Sequence, residues 1–200
     1  MKDIDESVSI LGEHIGLSKS SYLAKYKKNQ RLELISRNNI CYLKRGRVVV
    51  LRHDNDLVTL TIQAPMILGL TQMANKSKYH YLRCETDCQM LIISNEDATD
   101  IFNKKNLWIY AFNILTWHHN LYFQREMMMT HPDIRKVINE HLKYVWMMPP
   151  DVRSKTSVYN FIMSRTHISR SAIHKITQEM MKNGSVKIER GKLTLYNDSE

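Results

Sequence analysis

From Ser169 onward the chain gathers side chains that donate hydrogen bonds or carry positive charge: Ser169, Arg170, Ser171, His174 and Lys175, followed by Lys187, Arg190 and Lys192. An arginine near a helix N-terminus can reach the O6 and N7 acceptors of one guanine in the major groove, while hydroxyls and lysines hold phosphate oxygens. From Arg153 to Lys192 nine Lys or Arg stand against two acids, Glu179 and Glu189, leaving +7 of the chain's formal +9 in a fifth of its length. Such concentration favours a surface that takes phosphate.

These donors need a scaffold that turns them outward together. Val158, Phe161 and Ile162 share one face of a short helix, and Ile173, Ile176 and Met180 share one face of the next. Arg165 to Ile168 leaves room only for a turn, and Ser169 is placed to cap the second helix, which therefore begins near Arg170. Asn183-Gly184 reads as its left-handed C-cap. From Val186 to Leu195 apolar and polar residues alternate about Gly191, which predicts a two-stranded wing. The whole is a winged helix-turn-helix, and two copies would read half-sites about one helical turn apart on double-stranded DNA.

The earlier part of the chain changes period. Short apolar runs at 32–35, 40–43, 48–51, 57–62 and 90–93 predict an antiparallel barrel, with turns at Gly46, His53 to Asp56 and Ala64-Pro65. Ser94 opens a helix, a longer one runs from about Leu107 to Met129, and another spans about Asp133 to Trp146. On the long helix Leu107, Ala111, Ile114, His118, Leu121, Arg125 and Met128 recur at steps of four and three, a heptad-like seam that predicts pairing with a second copy. Met147 to Arg153, containing two prolines, is the expected hinge. The fold class is α+β: residues 1–130 form the barrel and dimerisation helix, and residues 131–200 form the DNA-binding domain.

Several function classes fall away. No stretch reaches the roughly 18 apolar residues that cross a bilayer, and the acidic start Met1 to Glu6 lacks a signal-peptide core, which predicts a cytoplasmic protein. Cys41, Cys84 and Cys88 make neither a complete disulfide set nor a zinc knuckle, and the histidines show no metal-ligand spacing, so no metal or cluster is expected. No run supplies a nucleophile with its base, paired carboxylates or a phosphate-cradling glycine loop, so an enzyme is not expected.

The order of barrel, long helix, connecting helix and winged helix-turn-helix resembles the Crp-Fnr superfamily of bacterial transcription regulators over nearly the whole chain, most closely at Ile168-Ser169-Arg170. The resemblance implies a homodimer in which Ser169, Arg170, Ser171 and Lys175 contact the operator, a cyclic-nucleotide-binding-like barrel, and RNA polymerase as a further candidate partner. Leu43 to Leu51 is similar to a hairpin of the family's barrel, and Leu82 to Cys88 to the strand after its ligand cassette. Within the cassette Gly69 survives, but the ribose-binding glutamate is absent and Lys78-Tyr79 stands where the family has an arginine-serine pair. Without the bidentate phosphate fork the barrel is not expected to depend on cyclic AMP, and no cofactor is expected. The chain is most similar to the small, diverged enterobacterial members of the superfamily, which implies an effect on oxidative-stress genes.

Two alternatives stay open. One is a small-ligand or thiol-redox sensor controlling the same DNA module, with Arg83 lowering the pKa of Cys84. In it Cys84 and Cys88 lie on one extended strand, about 13 Å apart. The other is a metal-dependent barrel enzyme with an auxiliary nucleic-acid module.

Overall fold

The structure is a computed structural model that describes residues 4–33, 38–73 and 79–197. Leu34 and Ile35 of the first expected strand, and Lys78 of the cassette, lie outside the described residues. The chain divides into two compact units, Met1–Phe123 and Gln124–Glu200.

The first unit opens with α1 (Ile4–Leu17), whose buried Val8, Leu11, Gly12 and Ile15 follow the helical period. Its strands are β1 (Tyr22–Tyr26), β2 (Arg31–Leu32), β3 (Asn39–Arg45), β4 (Arg47–Arg52), β5 (Val58–Gln63), β6 (Met66–Leu68), β7 (His80–Cys84) and β8 (Cys88–Ser94). They build two four-stranded antiparallel sheets, in the orders β1-β8-β3-β6 and β2-β7-β4-β5. The core combines Ile40, Leu43, Met90 and Ile92 of the first sheet with Val48, Val50, Leu60 and Leu82 of the second. Gly46 makes the turn from β3 to β4 at φ +102°, where a Cβ would stand 2.5 Å from the Asp87 carbonyl oxygen and 2.7 Å from the Cys88 sulfur. No other residue fits there without displacing backbone.

Helix α2 (Asn95–Lys105) begins at the expected cap, with the Ser94 hydroxyl accepting from the Asp97 N–H at 3.1 Å. Asn106 ends it in left-handed geometry, and α3 (Trp108–Met129) follows. Here the structure corrects the expected dimer seam. Leu107, Ala111 and Ile114 are buried in the core of their own unit, with Leu121 packed against it. His118 is half-buried, and Arg125 and Met128, in the second unit, are half-buried too. Leu107, Ala111 and Ile114, which seat the helix on its own sheets, are not free to meet another molecule.

On that inward stripe the His118 Nε2 is buried without a hydrogen-bond partner among the described residues. Burial pushes its pKa from 6.5 down to about 4. An unfolded chain therefore takes a proton near pH 6.5 and the folded one does not, so stability is complete above pH 6.5 and is lost as pH falls toward 4. Between pH 6.5 and 5 this is worth at most about 2 kcal/mol. His118→Leu is expected to flatten that part of the curve in urea unfolding followed at several pH values. An unchanged slope would show that the histidine titrates freely.

The second unit holds α4 (Ile134–Trp146), α5 (Pro150–Arg153), α6 (Val158–Met163), α7 (Arg170–Lys182), β9 (Val186–Glu189) and β10 (Lys192–Tyr196). Ile138, Leu142, Val145, Phe161, Ile162, Ile173 and Met180 fill its core, with Val186, Leu193 and Tyr196 from the hairpin. His141 is buried there, its Nδ1 2.7 Å from the Val137 carbonyl oxygen, and burial lowers its pKa. The expected hinge is instead folded into this unit. Arg153 in α5 donates to the Trp146 carbonyl at 2.7 Å and lies 4.1 Å over that indole ring, anchoring the segment to α4.

Candidate nucleic-acid interface

The Thr166 side chain braces the turn between α6 and α7. The buried Thr166 hydroxyl donates to the Ile162 carbonyl at 3.0 Å and accepts from the Ile168 N–H at 3.2 Å, so the chain leaves α6 and enters α7 in a fixed direction. Ser169 caps α7, accepting from the Ala172 N–H at 3.2 Å, with its hydroxyl 3.0 Å from that of Ser171. The helix starts at Arg170, where the spacing placed it. Ile173 and Met180 face the core together with Thr177, and Ile176 is half-buried, which leaves Arg170, Ser171, His174 and Lys175 exposed. At the far end the Gly184 and Ser185 N–H groups bond to the Met181 and Met180 carbonyls, with Gly184 left-handed at φ +78°.

A recess of about 770 Å³ opens beside this surface, lined by Tyr159, Arg170, Ser171 and His174. Tyr159, on α6, is a member of the site that the linear pattern did not reveal. Its position next to buried Val158 marked it as flanking a core face, and its neighbours on α7 lie 11 or more residues further along the chain.

The wing is a tight hairpin. Lys192 pairs with Glu189, and Arg190 and Gly191 between them both have positive φ, 50° and 76°. This is the backbone of a mirror-image turn that matches strand twist. The hairpin is tied to the start of α6 and the segment before it: the Val158 N–H donates to the Gly191 carbonyl at 2.9 Å, and the Lys192 ammonium donates to the Lys155 carbonyl at 2.5 Å. Lys187 pairs with Glu189 at 2.7 Å. Among the three expected wing cations, Lys187 and Lys192 thus have protein partners, whereas Arg190 is exposed at the tip with no hydrogen-bond or ion-pair partner among the described residues. The wing reaches outward chiefly through Arg190.

Residues 135–198 match the family model for winged helix-turn-helix DNA binding. Over most of the chain the structure superposes on that of the c-di-GMP responsive global regulator CLP of Xanthomonas campestris, with a TM-score of 0.72, 14% identity, and 94% of this chain and 99% of the other covered. A transcriptional regulator of the Crp/Fnr family from Eubacterium rectale gives a TM-score of 0.70 at 13% identity, covering 96% and 91%. The chain has the Crp/Fnr fold. In sequence it is 28% identical over 153 residues to the inhibitor of hydrogen peroxide resistance of Escherichia coli K12, covering 76% of this chain and 73% of the relative. The Salmonella typhimurium protein of the same name is 27% identical over the same length. Within this fold the winged module at 135–198 is the DNA-binding part.

The cysteines are arranged differently from an extended strand. Cys84 ends β7 and Cys88 opens β8, so a turn separates them; the Cys88 thiol donates to the Thr86 carbonyl in that turn at 3.2 Å, and the two sulfurs are near enough to raise the Cys84 pKa. The 13 Å separation of an extended strand therefore does not apply. Arg83 is exposed while Cys84 is buried, on opposite faces of β7, and burial pushes the Cys84 thiol up to about 12. Cys41 is likewise buried and pushed up to about 12. A protonated thiol is a poor nucleophile, so activation of Cys84 by Arg83 is not available in this arrangement. Among the described residues no group of three His, Cys, Asp or Glu is placed to hold a metal ion, and no helix is long and apolar enough to cross a membrane.

Proposed function

We propose that the protein is a homodimeric, sequence-specific transcriptional regulator that acts on double-stranded DNA in the cytoplasm. Residues 131–200 read the operator, and residues 1–130 supply a platform and the dimer helix. The observation that carries this reading is the exposed donor set Arg170, Ser171, His174 and Lys175 on the first turns of a capped helix, flanked by a tethered wing. Arg170, His174 and Lys175 read base edges, Ser171 adds a hydroxyl contact, and Arg190 holds phosphate. Ser169 contributes chiefly as the cap. Lys187 and Lys192 have protein partners to exchange before they can take phosphate, which ranks them below Arg190. The names of the relatives support oxidative-stress genes as targets, and RNA polymerase is the partner that a regulator on DNA would engage.

Dimerisation uses the outer face of α3. Ile109, Phe112, Thr116, His119 and Phe123 are all exposed and follow one another at steps of three and four. This is the spacing by which one helix meets its symmetry mate, and it lies opposite the stripe that seats α3 on the sheets.

The phosphate part of the reading is tested by titrating duplex DNA at several salt concentrations. Affinity should fall steeply with salt, and Arg190→Ala should weaken all sequences alike while reducing the logarithmic salt slope by about 1 per protomer. A slope unchanged by Arg190→Ala would remove the wing tip from the interface.

A further inference from the structure

We propose that Tyr159 is a positioning residue for base reading: one aromatic ring orients both Arg170 and His174, and so sets the specificity of the recognition helix. The inference rests on the DNA-binding reading above. The Arg170 guanidinium lies 5.6 Å from the centre of the Tyr159 ring, within cation-π range. The imidazole of His174, one helical turn further along, lies 6.0 Å from the same ring, with its Nδ1 3.4 Å from the tyrosine hydroxyl. The ring face thus serves one reader and the hydroxyl the other.

Tyr159 is itself held from behind. Its hydroxyl is 3.5 Å from that of Thr177, a fully buried residue whose hydroxyl donates within α7 toward the Ile173 and His174 carbonyls, at 2.9 and 3.0 Å. The threonine proton goes to those carbonyls, which favours the arrangement in which the tyrosine hydroxyl donates to Thr177 and accepts from His174 Nδ1–H. In that tautomer His174 Nε2 is an acceptor, suited to the amino group of adenine or cytosine and unsuited to the guanine acceptors. Arg170, by contrast, carries only donors and suits guanine. A long, flexible arginine held over a ring before DNA arrives loses less freedom on binding, which raises discrimination without adding a contact to the DNA. The recess lined by Tyr159, Arg170, Ser171 and His174 leaves these groups room to meet a base edge.

The test is selection of duplexes from a random pool by the purified full chain, as wild type, Tyr159→Phe and Tyr159→Leu, at constant salt and with a melting temperature for each. Tyr159→Phe should relax only the base position read by His174. Tyr159→Leu should also relax the guanine position, by roughly tenfold in discrimination. The salt slope should stay at the wild-type value in both, since no phosphate contact is removed. Wild-type motifs from both variants would overturn the proposal. So would an equal loss on all sequences accompanied by a lower melting temperature, which would make Tyr159 a packing residue only. A wild type that selects no motif would overturn the DNA-reading proposal itself, an outcome that the wild-type arm alone identifies.

Discussion

Phe112→Asp yields a folded monomer that binds operator DNA roughly a hundredfold to ten-thousandfold more weakly than the parent protein, the range set by losing the second linked contact. Phe112 is the second residue of the outer stripe of α3, with 64% of its surface exposed, and Phe123 three helical turns on is 60% exposed. Two-fold pairing would cover both rings twice, whereas an aspartate at the same place sets two like charges facing each other across an apolar seam. The substituted side chain lies outside the core, so the fold should persist, with the unfolding temperature lowered only by what dimerisation contributed. Ile114→Ala is the counterpart, because Ile114 is fully buried beneath the same helix. It should cost about 2 to 5 kcal/mol of stability while leaving the association of the folded protein in place. Mass by light scattering or sedimentation, measured beside thermal unfolding, separates the two faces. A monomeric wild type, or an undisturbed dimer in Phe112→Asp, would remove this helix as the seam.

Arg170→Ala should cost roughly 1 to 3 kcal/mol per half-site and relax one base preference in each. The helix N-terminus that carries Arg170 is fixed by the Ser169 cap and by the Thr166 turn, so truncation removes the reader without moving the surface that bears it. Its effect is distinct from that of Arg190→Ala, which acts through phosphate and leaves preferences intact. Equal losses on all sequences for Arg170→Ala would show that the guanidinium holds backbone and reads no base.

How far this was visible in the amino-acid sequence depends on what each residue packs against. In the winged module each helix has one inner face, so Val158, Phe161 and Ile162, and then Ile173 and Met180, show their period openly, and Ser169 and Gly184 punctuate it at the right places. Strands β3, β4, β5 and β8 were legible as apolar runs because the core buries most of their side chains. Strand β1 was not: it is the outermost strand of its sheet, and its exposed Tyr22 and Leu23 break the alternation. Strand β6 is only Met66 to Leu68 and was seen as the bend before it, while β7 mixes His80 and Arg83 among its apolar residues. Helix α1 carries a helical signal in Val8, Leu11 and Ile15, preceded by the acidic Asp5 and Glu6 of its first turn.

The long helix shows why period alone cannot assign a face. Apolar residues occupy both sides of α3, one set because it seats the helix on its own sheets and the other because it is turned outward, and both obey steps of three and four. The sequence carries two overlapping heptads, and only the position of the sheets tells them apart. A similar gap separated the thiols: the turn Glu85 to Asp87 reverses the chain and brings Cys84 to Cys88, which no spacing argument on an extended strand could anticipate. Tyr159 joined the reading surface only through the crossing of two helices.

The most direct test of the account is to sequence the DNA retained from a random or genomic pool by the purified protein, with Arg170→Ala as the control at the same salt concentration. The account predicts a palindrome whose half-sites lie about one helical turn apart, lost or blurred at the Arg170 position in the control. Recovery that depends on salt but shows no common motif, and is the same for both proteins, would contradict it.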